Sequence, residues 1–189
     1  MAEFSIIERY FNRRQNASVD LGIGDDSALL AAPPNHQLVI CTDTLVAGRH
    51  FPLDTAAHAV GWKSVAVNRS DIAAMGAKPH SILLALSLPD ADQAWLQGFS
   101  DGLYACCDRY GVNLIGGDTT QSPHLSLSVT ALGWIEHGRA IARSGAPFDA
   151  LTVMPPLPYN IWDLRCNSDS ITRRHVVNWV YCYKALPRA

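Results

Sequence analysis

Aspartates recur beside glycine, serine and threonine at four places between residues 24 and 120. The strings are Gly24-Asp25-Asp26, Cys41-Thr42-Asp43-Thr44, Asn68-Arg69-Ser70-Asp71 and Gly116-Gly117-Asp118-Thr119-Thr120. We expect each string to be a turn at the end of a strand or helix. Carboxylates that converge repel one another unless cations neutralise them, and a site with only oxygen ligands favours Mg²⁺ or Ca²⁺. Neighbouring glycines let the backbone approach a bulky anion. The four strings together predict a metal–phosphate site.

Each string alone has a simpler interpretation, because Gly-Asp and Thr-Asp-Thr are common in turns and helix caps. The composition favours the metal site, since Asp far outnumbers Glu, which occurs only at Glu3, Glu8 and Glu136. The sequence contains no Gly-x-x-x-x-Gly-Lys-Ser/Thr string and no kinase-type glycine-rich loop before a strand lysine. We therefore expect a bound nucleotide to be held through metal ions.

Hydrophobic spacing predicts the elements that position these aspartates. Helices are predicted over residues 4–13, 56–75 and 92–110, with Gly76 and Gly111 as stop signals for the last two. Short apolar runs predict strands over residues 28–32 and 37–42, joined as a hairpin, and over residues 81–88 and 112–115. Apolar and polar residues alternate over residues 125–131, which indicates a strand with one buried face. The predicted fold is α/β, a mixed sheet covered on one face by helices.

Charge and composition exclude several classes of protein. A net charge of −2 and a pI near 6.4 give no reason to expect nucleic acid or an anionic membrane as a partner. No apolar run reaches the roughly 18 residues of a membrane span, and Met1 is not followed by a secretory signal. For these two reasons we expect a cytoplasmic location. The five cysteines show no zinc or redox spacing, so we expect them to be reduced thiols.

Several strings resemble thiamine-monophosphate kinase, in order and with its spacing. They are residues 3–7, 21–30, 42–51, 66–77 and 114–120, and they include Thr42-Asp43-Thr44-Leu45-Val46-Ala47-Gly48 and Ser70-Asp71-Ile72-Ala73-Ala74-Met75-Gly76. The resemblance covers roughly residues 3–146. Related families, such as aminoimidazole ribonucleotide synthetase, share the general Asp-rich pattern. The resemblance implies the N-terminal domain fold of that superfamily, with the sheet pairing with a second subunit in a homodimer.

The resemblance also implies a reaction, which is ATP-dependent phosphorylation of thiamine monophosphate to thiamine diphosphate. The transfer would be direct and in line, with several Mg²⁺ ions and no catalytic side chain. Matching positions imply metal binding by Asp26, Cys41, Thr42, Asp43, Asp71 and Asp118, nucleotide contact by Gly117, Asp118 and Arg143, and substrate contact by His50. Cys41 replaces an expected serine, and Arg49 replaces an expected asparagine. A surface or capping role is the alternative for His50, and a surface ion pair is the alternative for Arg143.

The resemblance ends near residue 146, and all thirteen glycines precede that point. We therefore predict an ATP- and Mg²⁺-binding N-terminal domain over residues 1–146 and a short divergent tail over residues 147–189. The family continues with a further domain, so the alternative hypothesis is a truncated or frameshifted fragment. Such a fragment would bind magnesium nucleotide and dimerise without catalysing the reaction. A relative with a different substrate is a third hypothesis.

Overall fold

A computed structural model describes residues 3–13 and 15–142 of the chain. Three α-helices, one π-helical turn and four strands follow one another in this part. The order is α1 (Glu3–Ile6), a π-helical turn (Ile7–Phe11), β1 (His36–Val46), α2 (Ala57–Ala74), β2 (Lys78–Leu88), α3 (Gln93–Tyr110), β3 (Asn113–Gln121) and β4 (Ser126–Glu136). The predicted tail and Arg143 lie outside the described residues.

The strands form one mixed sheet in the order β1-β4-β2-β3. β4 is antiparallel to both β1 and β2, whereas β2 and β3 are parallel. The parallel connection runs through α3, as a crossover between parallel strands requires. The predicted fold class, a mixed sheet with helices on one face, is confirmed.

Side chains alternate along β4 between buried and half-buried, as the sequence predicted. The buried set faces α2 and belongs to one core with residues from β2 and α3. The fully buried residues of this core include Leu127, Val129, Leu86, Leu96, Phe99 and Leu103. We call the side of the sheet that these helices cover the inner face and the opposite side the outer face.

α2 and α3 pack closely because two glycines lie at their contact. A Cβ atom built on Gly61 would overlap the Phe99 carbonyl oxygen, and one built on Gly102 would overlap the His58 carbonyl oxygen. The backbones of the two helices are thus in direct contact, which brings α2 into a fixed position over the sheet.

The ends of α3 follow from its sequence. The Asp92 side chain accepts a hydrogen bond of 2.7 Å from the Trp95 backbone N–H, which satisfies one free donor of the first turn. Gly111 ends the helix in the left-handed conformation, at a φ of 65°. The predicted boundaries of α2 and α3 are therefore confirmed to within a few residues.

The predicted hairpin is wrong. Residues 28–32 do not form a strand, and β1 pairs along its whole length with β4 instead. Pro33, Pro34 and Asn35 do turn the chain, with Asn35 at a φ of 57°. No side chain of residues 28–32 is buried, whereas every second side chain of β1 from Val39 to Asp43 is half-buried and Leu45 is buried.

The expectation that all four Asp strings are turns is also wrong. Three of them lie inside regular elements: residues 41–44 in β1, residues 68–71 in α2 and residues 116–120 in β3. Only Gly24-Asp25-Asp26 lies in an irregular segment. The three strings take the conformation of their long elements because pairing and helix packing continue through them.

Candidate functional site

Asp43 and Asp71 come together between β1 and the last turn of α2. Asp43 pairs in register with buried Val129, so its side chain lies on the inner face of the sheet. α2 crosses that face and carries Asp71 near its end. A side-chain hydrogen bond joins the two carboxyl groups. Two acidic groups this close on a half-buried surface are suited to share a cation.

The surroundings disfavour negative charge on Asp43. Burial raises the pKa of the Asp43 carboxyl above its ordinary value, while the hydrogen bond to Asp71 and the nearby His50 ring oppose that rise. A divalent cation beside the pair would remove the desolvation penalty by compensating the charge.

Cys41 lies two residues before Asp43 on the same face. Its Sγ donates a hydrogen bond of 3.5 Å to the Asn68 carbonyl oxygen in α2. Burial, followed by the charges of Asp71 and Asp43, raises the pKa of the thiol to about 12. Mg²⁺ prefers oxygen ligands to sulfur, so contact of Cys41 with such an ion would use its backbone carbonyl.

Thr42 points the other way. Its Oγ1 lies 3.0 Å from Thr130 Oγ1 on the outer face and donates to the Val129 carbonyl oxygen at 3.1 Å. The side chain of Thr42 is thus engaged on the face opposite Asp43, which leaves its backbone as the part nearest to the aspartate pair.

His50 follows β1 and is held in the loop after it. The Val46 backbone N–H donates to His50 Nδ1 at 3.0 Å, so the neutral ring carries its proton on Nε2. Lys63 Nζ donates to the His50 carbonyl oxygen at 2.6 Å. The loop therefore presents a half-buried imidazole near Asp43.

Asp118 and Gly117 lie on β3, at the opposite edge of the sheet from β1. Three strand spacings separate these edges, roughly 14 Å. Asp118 pairs with exposed Ala85 and so faces outward, whereas Asp43 faces inward. Gly117 adopts a φ of 150°, and a Cβ there would overlap the Leu84 carbonyl oxygen. β3 can approach β2 closely at this position only because it has a glycine.

Asp26 is exposed in the irregular segment before β1. Its backbone N–H donates to Asp25 Oδ1 at 2.8 Å. Within residues 3–13 and 15–142, no group of three or more histidine, cysteine or acidic side chains is arranged to hold a metal ion. The structure places Cys41 and His50 beside the Asp43–Asp71 pair and Asp118 at the opposite edge of the sheet, so a shared site that also includes Asp26 and Asp118 stays a prediction.

Asn68 stands in one of the four Asp strings, but the sequence analysis gave it no role of its own. It is 1% exposed, and its Nδ2 donates to the Ser64 carbonyl oxygen at 2.9 Å. Its Oδ1 is buried with no hydrogen-bond partner among the described residues. The available signal was its place one helical turn before Asp71, a spacing that puts both residues on one side of α2.

Comparison with known proteins identifies the class to which this fold belongs. The family described as AIR synthase related protein, N-terminal domain, matches residues 24–135. The chain therefore belongs to this family.

In the described residues, no helix is long and apolar enough to cross a membrane.

Within that class, the chain is similar to thiamine-monophosphate kinases, which confirms the resemblance that the strings indicated. It is 52% identical to the thiamine-monophosphate kinase of Escherichia coli K12 over 146 residues, which are 76% of this chain and 45% of that protein. The chain thus spans less than half the length of this relative.

Two solved structures extend the similarity to the fold. The thiamine-monophosphate kinase of Stenotrophomonas maltophilia K279a superposes with a TM-score of 0.63 at 51% identity, over 74% of this chain and 43% of that one. AaThiL complexed with AMPPCP and TMP superposes with a TM-score of 0.58 at 32% identity, over 62% of this chain and 38% of that one.

Proposed function

We propose that the chain acts in ATP- and Mg²⁺-dependent phosphorylation of thiamine monophosphate to thiamine diphosphate. The observation that carries the proposal is the half-buried Asp43–Asp71 pair, which lies within the two strings that most resemble the kinase. The similarity to AaThiL, which was solved with AMPPCP and TMP, supports ATP as the phosphate donor and thiamine monophosphate as the acceptor.

The donor chemistry of the pair fits Mg²⁺, which prefers carboxylate oxygens and retains waters that phosphate oxygens can replace. Asp43 and Asp71 would hold the ion, joined by the backbone oxygens of Cys41 and Thr42. Asp26 and Asp118 would complete the set of ligands around a bound nucleotide. When bound, Mg²⁺ neutralises phosphate charge during the transfer.

The chain's own residues then have to position the two reactants. We assign contact with thiamine monophosphate to His50, whose ring is fixed by the Val46 N–H, and contact with ATP to Gly117, Asp118 and Arg143. The acceptor is already an anionic phosphate, so in-line transfer requires no general base. This explains why the described site can lack a dedicated nucleophile.

A second candidate function is binding of magnesium nucleotide without turnover. The Asp43–Asp71 pair supports this function as well, because a cation site can hold a nucleotide without catalysing its transfer. A purified sample, ATP, Mg²⁺ and thiamine monophosphate in a coupled ADP-release assay would separate the two functions. Turnover at ordinary enzyme rates supports the kinase. Nucleotide binding that Asp43→Ala abolishes, without any turnover, supports the second candidate. Nucleotide binding that does not respond to thiamine monophosphate would indicate a different substrate.

The proposed partner is a second copy of the chain, docked through the outer face of the sheet. Leu38 and Ile40 are 42% and 59% exposed there, and they pair in register with Trp134 and Leu132. An apolar patch on the open face of a sheet is suited to burial against another surface. Sedimentation should show a dimer that Ile40→Lys dissociates, and a soluble wild-type monomer would contradict the proposal.

We also propose a cytoplasmic location.

A further inference from the structure

We propose that Gln15 and Asn113 are positioning residues that fix the acidic loop, defined as residues 21–29, against the beginning of β3. The acidic loop contains Asp26, so this inference rests on the proposed function for its consequence in metal and nucleotide binding. Neither residue would touch the metal or the nucleotide. Their effect would pass through the backbone that carries Asp26.

Asn113 holds the chain just before the loop. It is 8% exposed at the first position of β3, and both ends of its amide are used. Its Oδ1 accepts a hydrogen bond of 3.1 Å from the Asn16 backbone N–H, and its Nδ2 donates to the His80 carbonyl oxygen at 3.3 Å. A buried amide that joins three segments fixes their relative positions, because breaking either bond leaves a polar group unsatisfied.

Gln15 joins the loop itself to the edge of the sheet. Its Nε2 donates to the Leu114 carbonyl oxygen on β3 at 2.9 Å. The same amide lies directly against Gly22, where a built Cβ would overlap Gln15 Oε1, Nε2 and Cδ. Gly22 is therefore the place where the acidic loop contacts this side chain, and the absence of a Cβ makes that contact possible.

The loop is closed by its own backbone. Leu21 and Leu29 exchange hydrogen bonds of 3.2 and 2.8 Å, and the Asp20 N–H donates to the Leu29 carbonyl oxygen at 3.1 Å. Ile23 packs against the core, while Asp25 and Asp26 are exposed. A closed loop moves largely as one body, so contacts at its base determine where Asp26 is presented.

The contact between Gln15 and Gly22 permits a mutant cycle. Gly22 has no positive φ, so Gly22→Ala adds a methyl group without backbone strain. That methyl group would displace the Gln15 amide from the Leu114 carbonyl oxygen. Gln15→Ala removes the same hydrogen bond and also makes room for the methyl group. The two substitutions should therefore be non-additive, since each abolishes one shared interaction.

Hydrogen exchange tests the inference without any ligand. We expect Gln15→Ala and Gly22→Ala each to speed exchange of the hydrogen-bonded amides of Asp20, Leu21 and Leu29 about 3- to 10-fold, as the loss of one hydrogen bond implies. The double variant should be no faster than Gln15→Ala. Gln97→Ala is the control, because the Gln97 side chain donates to the exposed Asp101 side chain on α3, away from the acidic loop. Unchanged exchange, or additive effects, would overturn the inference.

Asn113 provides the second arm of the test. Asn113→Asp keeps an acceptor for the Asn16 N–H but loses the donor to the His80 carbonyl oxygen, so it should protect that amide less than the wild type and more than Asn113→Leu. Equal exchange in the two variants would contradict the role of Asn113. If the Leu variant does not fold, the wild type and the Asp variant are compared at the Asn16 amide, where a change of more than about 10-fold would contradict the role.

Binding of Mg·AMPPCP to the full chain, followed by calorimetry, connects the loop to function. We expect Gln15→Ala to weaken binding about 3- to 10-fold through loss of the preset position of Asp26. Binding equal to that of wild type, together with faster exchange, would overturn the functional half of the inference. A wild type that binds no nucleotide would overturn the proposed function, whereas the exchange experiment would still decide the role of Gln15 and Asn113.

Discussion

Helices α2 and α3 meet through glycines, whereas the acidic loop meets the sheet through side-chain amides. At the helix contact, Gly61 and Gly102 face carbonyl oxygens of the opposite helix. At the loop contact, the Gln15 side chain lies between Gly22 and the β3 edge. The first contact is set by backbone and has little room to adjust. The second can be changed one hydrogen bond at a time. The position of the Asp43–Asp71 pair is therefore set by the contact between the two helices. The position of Asp26 depends instead on the contact that the Gln15 side chain makes.

The largest expected effect comes from adding a methyl group at the helix contact. Gly102→Ala would push against the His58 carbonyl oxygen, which cannot move without shifting α2. We expect a loss of about 2 to 4 kcal/mol in the free energy of unfolding. Gly98→Ala is the matched control one turn earlier, because its Cβ would lie 3.3 Å from the Ala57 Cβ and helix propensity would improve. Urea denaturation measures both. Equal midpoints would show that the helix contact is not rigid.

Asp43→Asn should stabilise the protein in the absence of divalent metal. The folded state raises the pKa of Asp43, so ionisation costs stability above that raised pKa and costs nothing below the ordinary value of 3.8. At pH 7 we expect the melting temperature to rise by roughly 1 to 3 °C. The rise should vanish near pH 3.

The measurement is calorimetry with a chelator present, and Asp54→Asn at an exposed position is the control. A lower melting temperature for Asp43→Asn at pH 7 would mean that the charge is already compensated by the chain alone. In that case the pair would have no need of a cation.

A smaller effect on the free energy of unfolding is expected from His80, which lies next to the segment that leads into the acidic loop. Burial, followed by the charge of Lys78, lowers the pKa of His80, while a hydrogen bond with the Ser18 backbone raises it by less. The folded state therefore binds the proton less well than the unfolded state, so stability falls as pH drops below 6.5. We expect at most about 0.5 kcal/mol between pH 7.5 and 5, because the ring is half-buried.

His80→Gln should remove that part of the pH dependence, whereas His124→Gln at an exposed position should retain it. Urea midpoints across this pH range provide the measurement. A steeper loss of stability in the His80→Gln variant would contradict the assignment.

The smallest effect is expected for the ion pair between Arg13 and Asp108. The charged atoms are 2.9 Å apart, but the side chains are 52% and 60% exposed. Solvent screens such a pair, so Asp108→Asn should change the unfolding free energy by no more than about 0.5 kcal/mol. Denaturation in low and high salt checks this. A change above about 1 kcal/mol in the free energy of unfolding would indicate that the segment before the acidic loop is held rigidly.

The sequence correctly predicted those elements for which the local sequence pattern and the tertiary packing favour the same conformation. Spacing of apolar residues, Asp92 and Gly111 located α3, and alternation located β4. The hairpin prediction failed because β1 takes its partner from β4, far along the chain, and local patterns contain no information about that choice.

The candidate site was predicted in part for a similar reason. Asp43 and Asp71 were identified by their strings, yet only the crossing of α2 over β1 shows that they meet. Gln15 and Asn113 belong to no recognisable motif, and their role depends on two segments about a hundred residues apart. Ordinary polar residues of this kind become visible only in the folded structure.

The most direct test of the central claim is titration of Mg·AMPPCP into the wild-type chain, Asp43→Ala and Asp71→Ala. We predict saturable binding by the wild type and binding at least about 10-fold weaker in both variants, with unchanged helical circular dichroism, because each variant removes a carboxylate of the shared cation site. Equal binding by all three proteins, or none by the wild type, would contradict the assignment of the Asp43–Asp71 pair as the metal–nucleotide site.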